Sequence, residues 1–146
     1  MLESMHGFLQ SIREVFDNDK TSLDVKIETL VSNYIDLFIK NPEIPLFLLS
    51  ELKTHPDDFV QKLGIKDIIM NSYFLKQFQQ QIKEGKIVPL NPLHFMMNMM
   101  GMTLLPFIAK PIINSLGDLS HKSFNDMMQE RKILIPKWIK ATLKTK

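Results

Sequence analysis

The chain has 146 residues, of which 45% are apolar and 23% charged, a balance that fits one domain with a sizeable core. A formal net charge of +2 is too small to imply nucleic acid by itself, and the lack of Cys excludes disulfides, thiol catalysis and zinc–thiolate sites. Ten Phe and ten Met against five Gly point to helices rather than a turn-rich β-fold. The N-terminus MLESMHGFLQSIREVF lacks the basic-then-apolar build of a signal peptide, and a cytoplasmic location is expected.

Helical spacing dominates from the start. Leu2, Met5, Leu9, Ile12 and Phe16 fall on one stripe. Asp17 to Lys20 ends that helix, and Thr21 or Ser22 can cap the next, because a side-chain oxygen accepts from the free amides of the first turn. The second helix should run to about Lys40. Leu23, Ile27, Leu30, Val31, Tyr34 and Phe38 share its apolar face; Lys26, Thr29, Asn33, Asp36 and Lys40 share the face expected in solvent. Asn41-Pro42 reads as a cap followed by proline at the first helical position, opening a short helix from Ile44 to Leu52. Pro56 and Gly64 bracket a further short turn around Phe59, Val60 and Leu63. A long helix is expected from Asp67 to Glu84, with Gly85 in the left-handed position after it. Asn91-Pro92 repeats the cap-then-proline start. The helix it opens should reach Ser115, bending at Pro106 or Pro111, and Gly117 ends it. Ser120 opens the last helix, which Pro136 should kink or interrupt. No strand and no internal repeat is evident. The fold class expected is all-α.

Catalytic and metal constellations are weak. His6, His55, His94 and His121 share no ligand spacing, so no metal and no cofactor is expected. Asp57-Asp58 stands at a helix start, where carboxylates favourably meet the helix dipole. No G-x-S-x-G, no S-x-x-K and no Gly-rich phosphate loop occurs, so an enzyme is not expected. The stretch from Leu93 to Ala109 is slightly short for a bilayer span and holds Asn98 and Gly101 before Pro106 interrupts it, so no membrane span is expected. Lys137, Lys140, Lys144 and Lys146 read as a solvated, dipole-compensating tail rather than a nucleic-acid patch.

Binding is the better-marked property. On the helix from Asn91, Leu93, Met96, Met97, Met100, Leu104, Phe107 and Ile108 take one side; Phe95, Met102, Ala109 and Ile113 take the other. A helix apolar all round must be covered all round. It is either the central core helix or one whose second side meets another subunit. The last helix adds Phe124, Met127, Arg131, Leu134 and Trp138, with Trp138 a suitable interface anchor. Met96, Met97, Met99, Met100 and Met102 suit a cavity for varied apolar ligands, or simply fill core gaps. Asn71 falls among Phe74, Leu75 and Phe78 on an apolar face, where a buried amide must find a partner in the backbone or a ligand. His94 and Asn98 raise the same question, and Tyr34 offers a hydroxyl. The expected cavity is therefore lined by Tyr34, Phe38, Asn71, Phe74, Phe78, His94, Met97, Asn98 and Met100.

Three stretches, YIDLFIKNPEIPLFLLSEL, QQQIKEGKIVPLNP and FNDMMQERKILIPKWI, together with helix order and lengths, resemble the C-terminal domain of bacterial TetR-family regulators. The resemblance covers nearly the whole chain, residues 1–146, as one helical ligand-binding and dimerisation domain. It implies a homodimer through the last two helices, a small apolar or amphipathic ligand, and regulation of transcription. The family's helix-turn-helix head would precede Leu2, with residues 1–16 as the connecting helix; DNA would be reached only through that head, and the chain would be either a fragment or a natural headless protein. The rival expectations are a stand-alone helical adaptor for a protein partner and a lipid carrier.

Overall fold

Side-chain caps and glycines set several of the helix boundaries. The computed structural model describes residues 2–117 and 121–144. Among them the fold is all-α, with nine helices: α1 (Leu2–Asp17), α2 (Leu23–Lys40), α3 (Ile44–Thr54), α4 (Pro56–Leu63), α5 (Ile65–Met70), α6 (Tyr73–Lys83), α7 (Pro92–Ile108), α8 (Lys110–Gly117) and α9 (His121–Leu143). No strand occurs among the described residues; Ile87 and Lys144 form a single antiparallel bridge. The expected start at Ser120 lies outside the described residues.

Ser22 caps α2, its Oγ accepting from the Val25 amide at 3.2 Å, and Asn91 caps α7, accepting from Leu93 at 3.0 Å. Gly85 takes the left-handed conformation expected of it, with φ 76°. Asn41 departs from expectation. Its backbone and side-chain amides both donate to the Leu37 carbonyl, so it closes α2 instead of opening α3. The proline in the first turn of α3 is Pro45.

The expected Asp67–Glu84 helix is two helices. Gly64, with φ 63°, ends α4 and launches α5, which lasts six residues. Asn71 then closes α5, and Ser72 caps α6 by accepting from the Leu75 amide at 3.1 Å. The Ser72 side chain donates to the Ile69 carbonyl and accepts from the Leu75 amide, and this competition for local backbone groups outweighs the continuing apolar period. The helix from Asn91 also breaks, at Ala109, and α8 leaves α7 at 69°. Pro106 sits inside α7 without ending it. Pro111 instead falls in the first turn of α8, where its missing N–H is tolerated. Pro136 does not interrupt α9, which runs 23 residues through it with the proline ring buried.

The central helix is α2, which packs against α1, α6, α7 and α9. Leu23, Ile27, Leu30, Val31, Ile35 and Phe38 are all buried. Around it Phe16, Phe74, Phe78, Phe95 and Phe124 fill the main core, and Met5, Phe38, Ile44, Phe59 and Leu63 form a smaller cluster under α3 and α4. Each fully buried Phe of this kind contributes roughly 1.5–3 kcal/mol. Two ion pairs tie α9 to α2, Lys132 with Asp36 at 2.5 Å and Lys140 with Glu28. Two of the α9 lysines are therefore engaged within the subunit, and Lys146 lies outside the described residues.

Lys26 is the main correction on α2. Expected in solvent, it is fully buried. Its Nζ donates to the Asn18 carbonyl at 2.5 Å, the Thr21 carbonyl at 2.8 Å and Thr21 Oγ1 at 2.8 Å. The ammonium has three N–H donors, and the loop before α2 supplies three acceptors. Tyr73 covers the charge, its ring centroid 5.3 Å away. Helical period alone places Lys26 opposite the core, but the α1–α2 loop and α6 fold over that side.

Candidate functional site

The strongest candidate is an open apolar cleft of about 320 Å³ between α1, α2, α5 and α7. Leu9, Ile12 and Phe16 form the α1 wall; Ile65, Ile68 and Ile69 come from α5. Leu93, Met96, Met97 and Met100 come from α7, and Tyr34 from α2. The volume is at the lower end of the range for small-molecule sites, roughly 300–1,000 Å³. No lining side chain carries a charge. Tyr34 alone brings a polar side-chain atom.

Tyr34 is held edge-on by Phe8, with ring centroids 4.9 Å apart, and tilted against Phe38 at 6.0 Å. Its hydroxyl forms no hydrogen bond to protein among the described residues. Burial pushes its pKa well above the ordinary value of 10.0. A phenol in this setting is a neutral hydrogen-bond donor at physiological pH.

The structure gathers only part of the expected cavity. Tyr34, Met97 and Met100 line the cleft. Phe38, Phe74 and Phe78 are fully buried instead. Phe74 stacks on Phe16 at 4.8 Å and meets Phe95 at 5.3 Å; Phe78 meets Phe95 at 5.7 Å. These rings make solid core where the cavity was expected. Asn71 is exposed, not buried. Its Nδ2 donates to Asp67 Oδ1 at 2.6 Å, and that bond, followed by the one from Arg13, holds the Asp67 carboxyl below the usual range. The break between α5 and α6 removes Asn71 from the apolar face on which an unbroken helix would have put it. His94 and Asn98 are exposed on α7, outside the cleft. Sequence reasoning missed the α1 and α5 walls, although the Leu9, Ile12, Phe16 stripe was legible.

The faces of α7 and α9 are also partly exchanged. Phe95, expected on the outward side, is interior with Met99 and Thr103, and Leu93 and Met97, expected inside, are exposed. Phe124 is interior too, its ring 5.6 Å from that of Phe107. Phe95 and Phe124 therefore serve the subunit's own core, not a second copy. Met102, Ala109, Ile113 and Leu134 are half-buried. Arg131 donates from Nη2 to the Met102 carbonyl at 2.9 Å and lies over the Trp138 ring at 5.4 Å. Trp138 and Met127 remain exposed on α9, and Ile112 and Leu116 are exposed on α8.

Among the described residues no group of three or more His, Asp or Glu side chains is placed to hold a metal ion. His55 approaches Glu51 at 3.9 Å, His6 and His94 are exposed, and the His121 side chain is outside the described set. Among the described residues no single helix is long and apolar enough to cross a membrane; α7 and α8 reach that apolar length only as a bent pair. In comparison with known proteins, no family model matches the chain and no curated protein matches its sequence.

Proposed function

We propose that this chain is the effector-sensing body of a TetR-like transcription regulator, and that its ligand enters the cleft lined by Tyr34, Met97 and Met100. The observation that carries the ligand site is an open apolar cleft whose one lining hydroxyl, that of Tyr34, makes no hydrogen bond to protein among the described residues. The regulatory role rests on the sequence resemblance. In that reading α1 is the connecting helix. It forms one wall of the cleft, so a ligand with different affinity for two positions of α1 shifts the equilibrium between them. DNA contact is then left to a helix-turn-helix head, and a homodimer uses the exposed apolar side chains of α8 and α9.

A ligand screen by thermal unfolding tests the site. Some apolar or amphipathic compound raises the melting temperature of the wild-type chain and fails to do so in Met97→Glu. Met97 is 60% exposed, so the substitution itself leaves the unliganded melting temperature close to wild type. A library that moves neither protein removes the ligand-sensing role.

A second reading, a helical adaptor for a protein partner, is favoured by one feature. Leu46, Leu49 and Leu52 on α3 and Val60 on α4, two helices in contact, are each exposed. It predicts a monomer whose partner binding is lost in Leu49→Asp, with no effect of Met97→Glu.

A further inference from the structure

We propose that the cleft takes a compact, uncharged apolar molecule bearing one hydrogen-bond-accepting oxygen, such as a ketone, ester or ether, with the Tyr34 hydroxyl as donor. This rests on the reading of the cleft as a ligand site and adds the chemical class of the ligand. Size comes first: about 320 Å³ holds a small molecule and leaves little room for a long chain.

Charge decides next. A carboxylate or ammonium moved out of water needs a partner of opposite charge, and the lining offers none. The ion pair that flanks the lining is already closed. Arg13, beside Ile12, meets Asp67, beside Ile68, at 3.2 Å, and Asn71 takes the other carboxylate oxygen. Each of these charges already faces one of opposite sign, and neither side chain lines the cleft.

The remaining feature is polar and singular. Tyr34 has the one polar side-chain atom of the lining, without a protein partner among the described residues. Because burial disfavours the phenolate, the hydroxyl keeps its proton and can donate a hydrogen bond to a ligand oxygen. Met96, Met97 and Met100 are flexible and polarizable, and adapt to varied carbon skeletons. Selectivity then lies with the oxygen more than with the hydrocarbon.

Three probes with a shared phenylalkyl skeleton separate the possibilities: butyrophenone, butylbenzene and phenylbutyrate, titrated against the full chain by ligand-observed NMR. A neutral hydrogen bond is worth about 0.5–1.5 kcal/mol, so the ketone should bind roughly three- to tenfold tighter than the hydrocarbon. Tyr34→Phe should lower ketone affinity to the hydrocarbon's level and leave hydrocarbon binding unchanged, which also reports an intact cleft. Phenylbutyrate as the tightest probe overturns the neutral class. A ketone advantage that survives in Tyr34→Phe, or no advantage in the wild type, overturns Tyr34 as donor. In either case hydrocarbon binding that Met97→Glu abolishes leaves the cleft standing as a site. Binding of no probe to the wild type overturns the cleft and the ligand class together.

Discussion

Phe74 of α6 and Phe95 of α7 meet ring to ring at 5.3 Å, and this contact fixes which side of α7 faces inward. Phe16 stacks on Phe74 from α1, and Phe78 closes on Phe95 from the next turn of α6. Four rings from three helices thus form one continuous aromatic block. It leaves the opposite side of α7, with Leu93 and Met97, to the cleft and to solvent.

That block gives a test of solid packing. Phe78 is fully buried with rings on two sides, so Phe78→Trp adds volume where none is free. The expected cost is about 1–3 kcal/mol, read from the shift in urea midpoint at constant slope. Ligand binding in the cleft should persist, since Phe78 does not line it. A variant as stable as wild type contradicts the close-packed arrangement.

Lys26 supports a prediction about the α1–α2 loop. Lys26→Met keeps the buried stem and removes the ammonium, so the Asn18 carbonyl and Thr21 Oγ1 lose the donor Nζ, while the Thr21 carbonyl keeps Gln77 Nε2 at 2.9 Å. A loss of about 1–3 kcal/mol is expected, together with faster amide exchange in residues 18–22. A neutral substitution shows that water replaces the ammonium at no cost.

Alkaline stability carries two opposed contributions. Burial raises the Tyr34 pKa above 10.0, so beyond that pH the native state holds a proton that the unfolded chain has lost, and stability falls as pH rises. Burial lowers the Lys26 pKa from 10.5, with the Asp19 charge acting in the opposite direction. Between its depressed native value and 10.5 the unfolded chain binds the extra proton, so this contribution raises stability with pH. Stability measured from pH 8 to 11 should therefore decline less steeply in Tyr34→Phe and more steeply in Lys26→Met than in wild type. Parallel curves for all three proteins contradict both assignments.

For the proposed dimer, Trp138 is the position to alter. It is 40% exposed and stacked with Arg131, so Trp138→Asp changes the outer face of α9 and spares the core. Sedimentation should show a wild-type dimer at micromolar concentration and a folded Trp138→Asp monomer. A wild-type monomer at that concentration ends the dimer reading.

Local physics made much of the fold legible in the sequence. The caps at Ser22 and Asn91, the left-handed Gly85 and the α2 stripe from Leu23 to Phe38 depend on neighbours within a turn or two, and each is where residue type and period put it. Tyr34, Met97 and Met100 were legible as candidate site residues, and they line the cleft. What period cannot supply is the identity of the neighbouring helix. On α7, apolar all round, both faces satisfy the pattern equally, and only the aromatic rings of α1 and α6 choose between them. Two adjacent capping residues, Asn71 and Ser72, break a run whose apolar spacing continues through them. Lys26 is buried because two carbonyls and one hydroxyl of the preceding loop match its three donors, a balance set by chain geometry that helical period does not contain.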